Sequence, residues 1–132
     1  MDSPFARAEM LIGRDKIKLL SKSHVAVFGL GGVGSFAVEA LARSSIGYID
    51  IFDGDKVEIT NINRQLIATS NNIGVSKVEA MKKRILEINP NAKVCAHQVI
   101  YNSNNYLNYS FKSYDYIIDA IDTITSKILI IV

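Results

Sequence analysis

Three side chains, Arg64, Lys77 and Asp122, could do chemistry together on a nucleotide. An arginine is a planar fork that grips phosphate oxygens in pairs, and a lysine is a compact point charge. Facing one polyphosphate, the two neutralise both its charge and the charge that builds on a departing pyrophosphate. That is the electrostatic requirement of adenylyl transfer. Arg64 lies in the polar run TNINRQ at 60–65, with Asn61 and Gln65, and Lys77 opens the helical pattern that follows. Asp122, in IIDAIDT, falls just past an apolar run, where a carboxylate can hold Mg²⁺ against the phosphates.

Such residues need a scaffold that delivers a phosphate to them. The stretch HVAVFGLGGVGSFAVEALARSSIGYIDIFDGD, 24–55, has its signature: strand, glycine-rich turn, helix, second strand, acidic end. Gly29, Gly31 and Gly34 satisfy G-x-G-x-x-G in the required context, after a strand and opening a helix. Together with Gly32 they are expected to let the backbone hug a phosphate, while the helix N-terminus aims its amides and dipole at the anion. Asp53 ends the second strand, where an acidic side chain accepts hydrogen bonds from ribose hydroxyls and repels a 2′-phosphate. Asp55, two residues on, is either a second ribose contact or a carboxylate that holds the loop.

The elements follow from periodicity. Residues 1–23 form a helical lead-in with Ile12, Ile17 and Leu20 as its apolar positions, and 24–132 form the nucleotide-binding domain. Val25–Phe28 is a continuous apolar run, as expected of a strand buried on both faces. A helix is expected over 32–45, with Val33, Ala37, Ala40 and Leu41 on one face and Gly47 ending it. Tyr48–Phe52 is the second strand, and 54–73 is polar and irregular, the length of a functional loop. Val78, Met81, Ile85 and Ile88 recur at helical spacing, and Pro90 closes that helix. Lys93–Val99 and Tyr116–Ala120 are strands, separated by a short, weak helix within 102–112. Thr123 is the N-cap of a last helix. Strands alternating with helices predict an α/β fold: a Rossmann-like, doubly wound, mostly parallel sheet of order 3-2-1-4. The pattern stops at KILIIV just as a helix begins, so a truncated, first-half domain is expected.

At 132 residues the chain is one domain with room for a core. Its 48% hydrophobic and 21% charged residues are ordinary for a globular protein. A net charge of +2 excludes a polycation and leaves a nucleic-acid partner open. The single cysteine, Cys95, excludes an intramolecular disulfide and fits a reducing compartment. The first residues are charged throughout, unlike a signal peptide, and no apolar run has transmembrane length. A soluble, cytoplasmic protein is expected.

Other polar residues read as structural. Arg7 has no obvious place in the sheet and by chemistry alone is a solvated arginine. Asp119 reads as a strand-end carboxylate bonded to backbone amides, and Cys95 as a small core or edge residue. His24 and His97 have no cysteine or carboxylate at ligand spacing. Tyr106, Tyr109, Tyr114 and Tyr116 lack the interleaved basic residues of a stacking platform.

Taken together, GLGGVG at 29–34, DGD at 53–55, NINRQ at 61–65, GVSKVEA at 74–80 and DAID at 119–122 span nearly all of the chain. With them the chain resembles the ATP-dependent adenylyltransferase family that includes ubiquitin-activating enzymes and bacterial activators of sulfur-carrier proteins. The resemblance implies that Asp53 binds the ATP ribose, that Asn61, Arg64 and Lys77 handle the phosphates, and that Asp122 serves Mg²⁺ and adenylation. It matches Arg7, in FARAEMLIG, to an arginine that enters the neighbouring subunit's active site, which implies a homodimer. Within the family the chain looks closest to the tRNA threonylcarbamoyladenosine dehydratase branch, and Thr123 stands where sulfur-carrier activators typically carry Asn. The implied reaction spends ATP to activate the carboxylate of N6-threonylcarbamoyladenosine in tRNA, and loss of water then closes a ring. One alternative is adenylation of the C-terminal glycine of a ubiquitin-like sulfur carrier, with a sulfur-carrier or cysteine-desulfurase-type partner. Another, from a different class, is a NAD-binding oxidoreductase, which predicts no role for Arg64 or Lys77.

Overall fold

The central strand is apolar on both faces because helices cover both. In the computed structural model, which describes residues 3–132, β1 (His24–Phe28) pairs in parallel with β2 (Tyr48–Phe52) on one side and β4 (Tyr116–Asp119) on the other. β3 (Lys93–His97) pairs with β2, so the order is β3-β2-β1-β4, as the alternation predicts. On one face Val25, Val27, Ile49 and Ile51 pack against α3 (Gly34–Arg43) and α4 (Lys77–Ile88) through Val38, Ala42, Val78, Met81 and Ile85. On the other, Ala26, Phe28 and Phe52 pack with Tyr101 and with Leu129 and Ile130 of α5 (Ile124–Ile131). The register sets Phe28, Phe52 and His97 side by side, and their rings stack in a row at centroid spacings of 4.2 and 4.2 Å. Each such pair adds about 0.5–1.5 kcal/mol beyond its buried area.

The lead-in is two helices, α1 (Ala6–Ile12) and α2 (Arg14–Lys22), broken at Gly13, whose φ of 93° no helix continues. Met1 and Asp2, also assigned to that lead-in, lie outside the described residues. The end of α2 meets the amino-terminal edge of the sheet, where Gly47 N–H donates to the Leu20 carbonyl at 3.2 Å.

Several local expectations are corrected. α3 starts at Gly34, and its buried positions are Gly34, Ser35, Val38 and Ala42, so Val33 and Ala40 point outward. Gly47 is not the helix stop; α3 ends at Arg43, and Ser45 takes the positive φ of 71°. Gly47 is needed because a Cβ there would fall on the Ser21 carbonyl. The 102–112 stretch holds only one 3₁₀ turn, Tyr106–Asn108. Its asparagines explain this: Asn105 Oδ1 accepts from Asn102 N–H at 2.9 Å, and Asn102 Oδ1 accepts from Asn104 N–H at 2.9 Å. Such local bonds compete with helix. β3 stops at His97 rather than Val99, and β4 at Asp119 rather than Ala120. Thr123 holds the N-cap position of α5, but its hydroxyl makes no capping bond.

α3 and α4 are fixed side by side by one carboxylate. Glu39 accepts from Arg84 at 2.6 and 3.0 Å and from Arg43 at 2.8 Å. Arg84 holds the Glu39 carboxyl below the usual carboxylate range, against the opposing effect of burial. The clamp ties together the helix that the glycine turn opens and the helix that Lys77 opens.

Candidate active site

The site is built at the carboxyl ends of β1, β2 and β4, the edge where open α/β sheets bind ligands. The chain leaves β1 through Gly29, at φ 96°, whose N–H donates to the Phe52 carbonyl at 2.8 Å. A Cβ on Gly29 would lie 2.5 Å from the Ala120 carbonyl oxygen, and one on Gly34 would fall on the Gly29 carbonyl. These two glycines let three backbone segments meet. Gly31 and Gly32 have ordinary room: their nearest non-local neighbours are Gln65 Nε2 at 3.6 Å and the Arg64 carbonyl at 3.7 Å. They lie under the 54–76 loop, through Gln65 and Arg64. Sequence reasoning missed Ser35, whose buried hydroxyl donates to the Gly31 carbonyl at 2.6 Å and locks the turn. Its spacing, four residues after a turn glycine, is the available signal. α3 has no side-chain N-cap; Ser35 N–H donates to the Gly31 carbonyl at 3.2 Å, so the other amides of the first turn are the ones an anion would meet.

The loop folds back because its two ends pair. Val57 N–H donates to Val75 O at 2.8 Å, Gly74 N–H to Val57 O at 2.8 Å, and Lys77 N–H to Asp55 O at 3.0 Å. That closure seats Lys77 at the first position of α4, 5% exposed, with Ser76 as N-cap. Its ammonium makes no hydrogen bond or ion pair among the described residues. Asn61 is buried, and its Oδ1 accepts from Glu58 N–H at 2.8 Å, so it shapes the loop's 3₁₀ turn, Ile59–Asn61. Arg64 is exposed, and its Nη1 donates to Thr60 O at 2.9 Å and Asn63 Oδ1 at 3.1 Å. Gln65 is 7% exposed, sits over Gly31, and its Oε1 has no partner among the described residues. An orphaned buried acceptor costs about 1–3 kcal/mol unless a ligand or water satisfies it.

Asp53 is half-buried and ties the site together. Its Oδ2 accepts from Leu30 N–H at 2.8 Å and its Oδ1 from Asp55 N–H at 2.8 Å. The remaining lone pairs stay free for hydroxyl donors. Asp55 is exposed and serves the loop through its backbone. Asp119 Oδ1 accepts from Ile121 N–H and from Lys127 Nζ, both at 3.2 Å, which shapes the turn that presents Asp122. Lys127 is a second site-edge cation that sequence reasoning missed. Asp122 itself is exposed, and no group of three His, Cys, Asp or Glu side chains forms a metal site among the described residues. Arg7 is exposed on α1, which packs on α2, and has no bond to any of these residues.

Away from this edge, the structure gives His24 and His97 the carboxylate that their sequence spacing hides. Asp50, buried in the middle of β2, accepts from His24 Nε2 at 2.7 Å, from His97 Nε2 at 3.0 Å and from Tyr114 OH at 3.0 Å. Burial pushes the Asp50 carboxyl up, and the three bonds more than reverse it, leaving it below its ordinary value. Burial and the Asp50 charge raise the Tyr114 hydroxyl. Burial likewise raises the Cys95 thiol, which leaves it a poor nucleophile on an edge strand. A depressed folded value means that Asp50 stabilises the fold above the ordinary carboxylate range and loses that contribution as pH falls. Asp50→Asn is therefore expected to be less stable than the parent at pH 7, with a gap that narrows towards pH 3 in denaturant titrations.

Comparisons with known proteins identify the family and the fold. A family model described as "ThiF family" matches residues 5–132. The chain is 49% identical over 124 residues to the tRNA threonylcarbamoyladenosine dehydratase of Bacillus subtilis (strain 168), covering 94% of this chain and 49% of that protein. It is 37% identical over 111 residues to the adenylyltransferase and sulfurtransferase MOCS3 of Aedes aegypti, covering 84% of this chain and 25% of that one. Among solved structures, the E. coli tRNA N6-threonylcarbamoyladenosine dehydratase in complex with ATP superposes with a TM-score of 0.93 at 41% identity, over 97% of this chain and 53% of the other. The chain thus spans about half the length of the dehydratases it matches.

Proposed function

We propose, because this chain belongs to the ThiF family, that it forms the ATP-binding part of an enzyme that adenylates the carboxylate of N6-threonylcarbamoyladenosine in tRNA and so drives its dehydration to the cyclic form. The observation that carries the reading is the roofed glycine turn. Arg64 and Gln65 lie against Gly32 and Gly31, and Lys77, its stem buried and its ammonium without a partner among the described residues, stands at the loop's closure. In this reading the α3 amides and Lys77 receive the phosphates, Arg64 leaves its two carbonyl-type partners to clamp them, and Asp53 takes the ribose hydroxyls with its free lone pairs. Asn61 and Asp55 hold the loop in place. Mg²⁺ fits as an ion held by Asp122 and phosphate oxygens together, since one exposed carboxylate alone does not retain it. When bound it supplies charge neutralisation at the phosphates. Adenylation converts the carboxylate oxygen into a leaving group, and the neighbouring nucleophile closes the ring with an effective molarity of about 10⁵ M or more.

The same reading makes the whole protein a cytoplasmic, ligase-type homodimer. Arg7 is free on α1 to reach a neighbour, and Met10 and Leu11 beside it are 81% and 85% exposed, an apolar surface suited to a second copy. No helix among the described residues is long and apolar enough to cross a membrane. A sulfur-carrier substrate is the second reading, favoured by the MOCS3 relative and disfavoured by its lower identity.

The test is calorimetric titration of this chain with ATP and Mg²⁺ beside NAD. ATP is expected to bind at least about tenfold more tightly. NAD binding without ATP binding overturns the proposal in favour of an oxidoreductase. In the full-length protein, pyrophosphate exchange stimulated by threonylcarbamoylated tRNA and not by a carrier protein separates the two adenylation readings.

A further inference from the structure

We propose that Asp50 and His97 are positioning residues for the nucleotide site: they hold the end of β3 against the acidic turn, and the turn holds the glycine loop. The inference rests on the nucleotide reading above. The His97 ring is fixed three ways: by its bond to Asp50 Oδ2, by stacking on Phe52 at 6° between planes, and by the edge of Tyr109. Fixing the ring fixes the residue's carbonyl, which accepts from Asp53 N–H at 3.2 Å and from Val99 N–H at 2.9 Å. The segment that follows presses on the same turn. A Cβ on Gly54 would fall on the Ile100 side chain, and it would lie 3.1 Å from the Ile100 nitrogen. The residue so backed, Asp53, is the one whose carboxylate grips Leu30 N–H in the glycine loop and Asp55 N–H in its own turn. A continuous path of contacts therefore runs from Asp50 through His97 and Asp53 to Leu30.

His24 provides an internal contrast. It bonds the other oxygen of the same carboxylate, at 2.7 Å, from the opposite end of the sheet. Its neighbours are Tyr48 and Tyr114, its N–H donates to Asp115, and none of these touches the glycine loop or the acidic turn by hydrogen bond. His24 and His97 thus both bond the Asp50 carboxylate, and only His97 leads to the site. A side chain with Nε2 in the same place is enough for the brace, and glutamine places its amide nitrogen there.

The experiment compares His97→Leu, His97→Gln and His24→Leu. Two readouts are needed: ATP affinity by calorimetry and amide hydrogen exchange at Leu30 and Asp55 in the ligand-free protein. His97→Leu is expected to weaken ATP binding about five- to twentyfold and to speed exchange at both amides about tenfold. His97→Gln is expected to restore most of both, and His24→Leu to lower the melting temperature while leaving both within about twofold. Asp50→Asn, which keeps the carboxylate's shape, follows His97→Leu and carries the test if that variant does not fold. Equal losses in the two leucine variants, or unchanged Leu30 and Asp55 exchange in His97→Leu, overturn the brace. Because the exchange readout needs no ligand, a parent chain that fails to bind ATP sinks the nucleotide reading and still decides this one.

Discussion

Gly34→Ala is expected to destabilise the chain by about 3 kcal/mol or more and to abolish nucleotide binding with it. The new methyl would fall on the Gly29 carbonyl and come within 3.3 Å of the Ala120 side chain. Neither neighbour has room to retreat. Gly29 is tied to the Phe52 carbonyl at 2.8 Å and is itself pressed against the Ala120 backbone, and Ala120 N–H donates to Phe28 O at 2.8 Å. Relief would require parting β1 from β4 at the centre of the sheet. Gly32→Ala is the matched control. Its nearest non-local atoms are at 3.7 and 3.9 Å, ordinary contact distances. It is expected to fold with stability within about 1 kcal/mol of the parent and to lose only ATP affinity. Chemical denaturation of the two variants, beside ATP titration, checks both halves. A folded, ATP-binding Gly34→Ala protein would show that the turn yields where the geometry says it does not.

Much of this was legible because it is written in local patterns. The continuous apolar run at Val25–Phe28 marks a strand covered on both faces, and the alternation of strands with helices yields the observed order. Lys77 could be placed because Val78, Met81 and Ile85 fix where α4 begins. What stayed hidden depends on atoms distant in sequence. The motif names Gly29, Gly31 and Gly34 alike, yet the packing demands only Gly29 and Gly34, and for Gly29 the distinction is made by Ala120, about ninety residues away. Asp50 lies 26, 47 and 64 residues from its three partners, so no spacing rule connects it to His24, His97 or Tyr114. Val33 and Ala40 were misplaced inward because the turn delays α3 to Gly34 and rotates its buried face. The asparagine run at 102–105 failed as a helix for the reason asparagine usually does, by bonding its own backbone.

Lys77→Met should separate function from stability more sharply than any other change in the loop. The lysine stem is buried to 5% exposure at the start of α4, where the ammonium has no counter-charge among the described residues. What the fold buries is the stem, so an apolar side chain of similar length is expected to leave stability within about 1 kcal/mol of the parent. The helix keeps its start, because Ser76 remains the N-cap and the bond from residue 77 N–H to Asp55 O is backbone. The ammonium has no partner among the described residues and so is available to a ligand. Removing it from the phosphates is expected to lower pyrophosphate exchange in the full-length protein about 10²–10³-fold, the range seen when one preorganised charge-stabilising group is lost. Arg64→Ala is expected to act in the same direction and less steeply, since its guanidinium is exposed and half engaged with Thr60 and Asn63. A Lys77→Met protein that melts lower and exchanges pyrophosphate normally would make the lysine a part of the fold. One that melts no lower and exchanges hundreds of times more slowly places it on the phosphates.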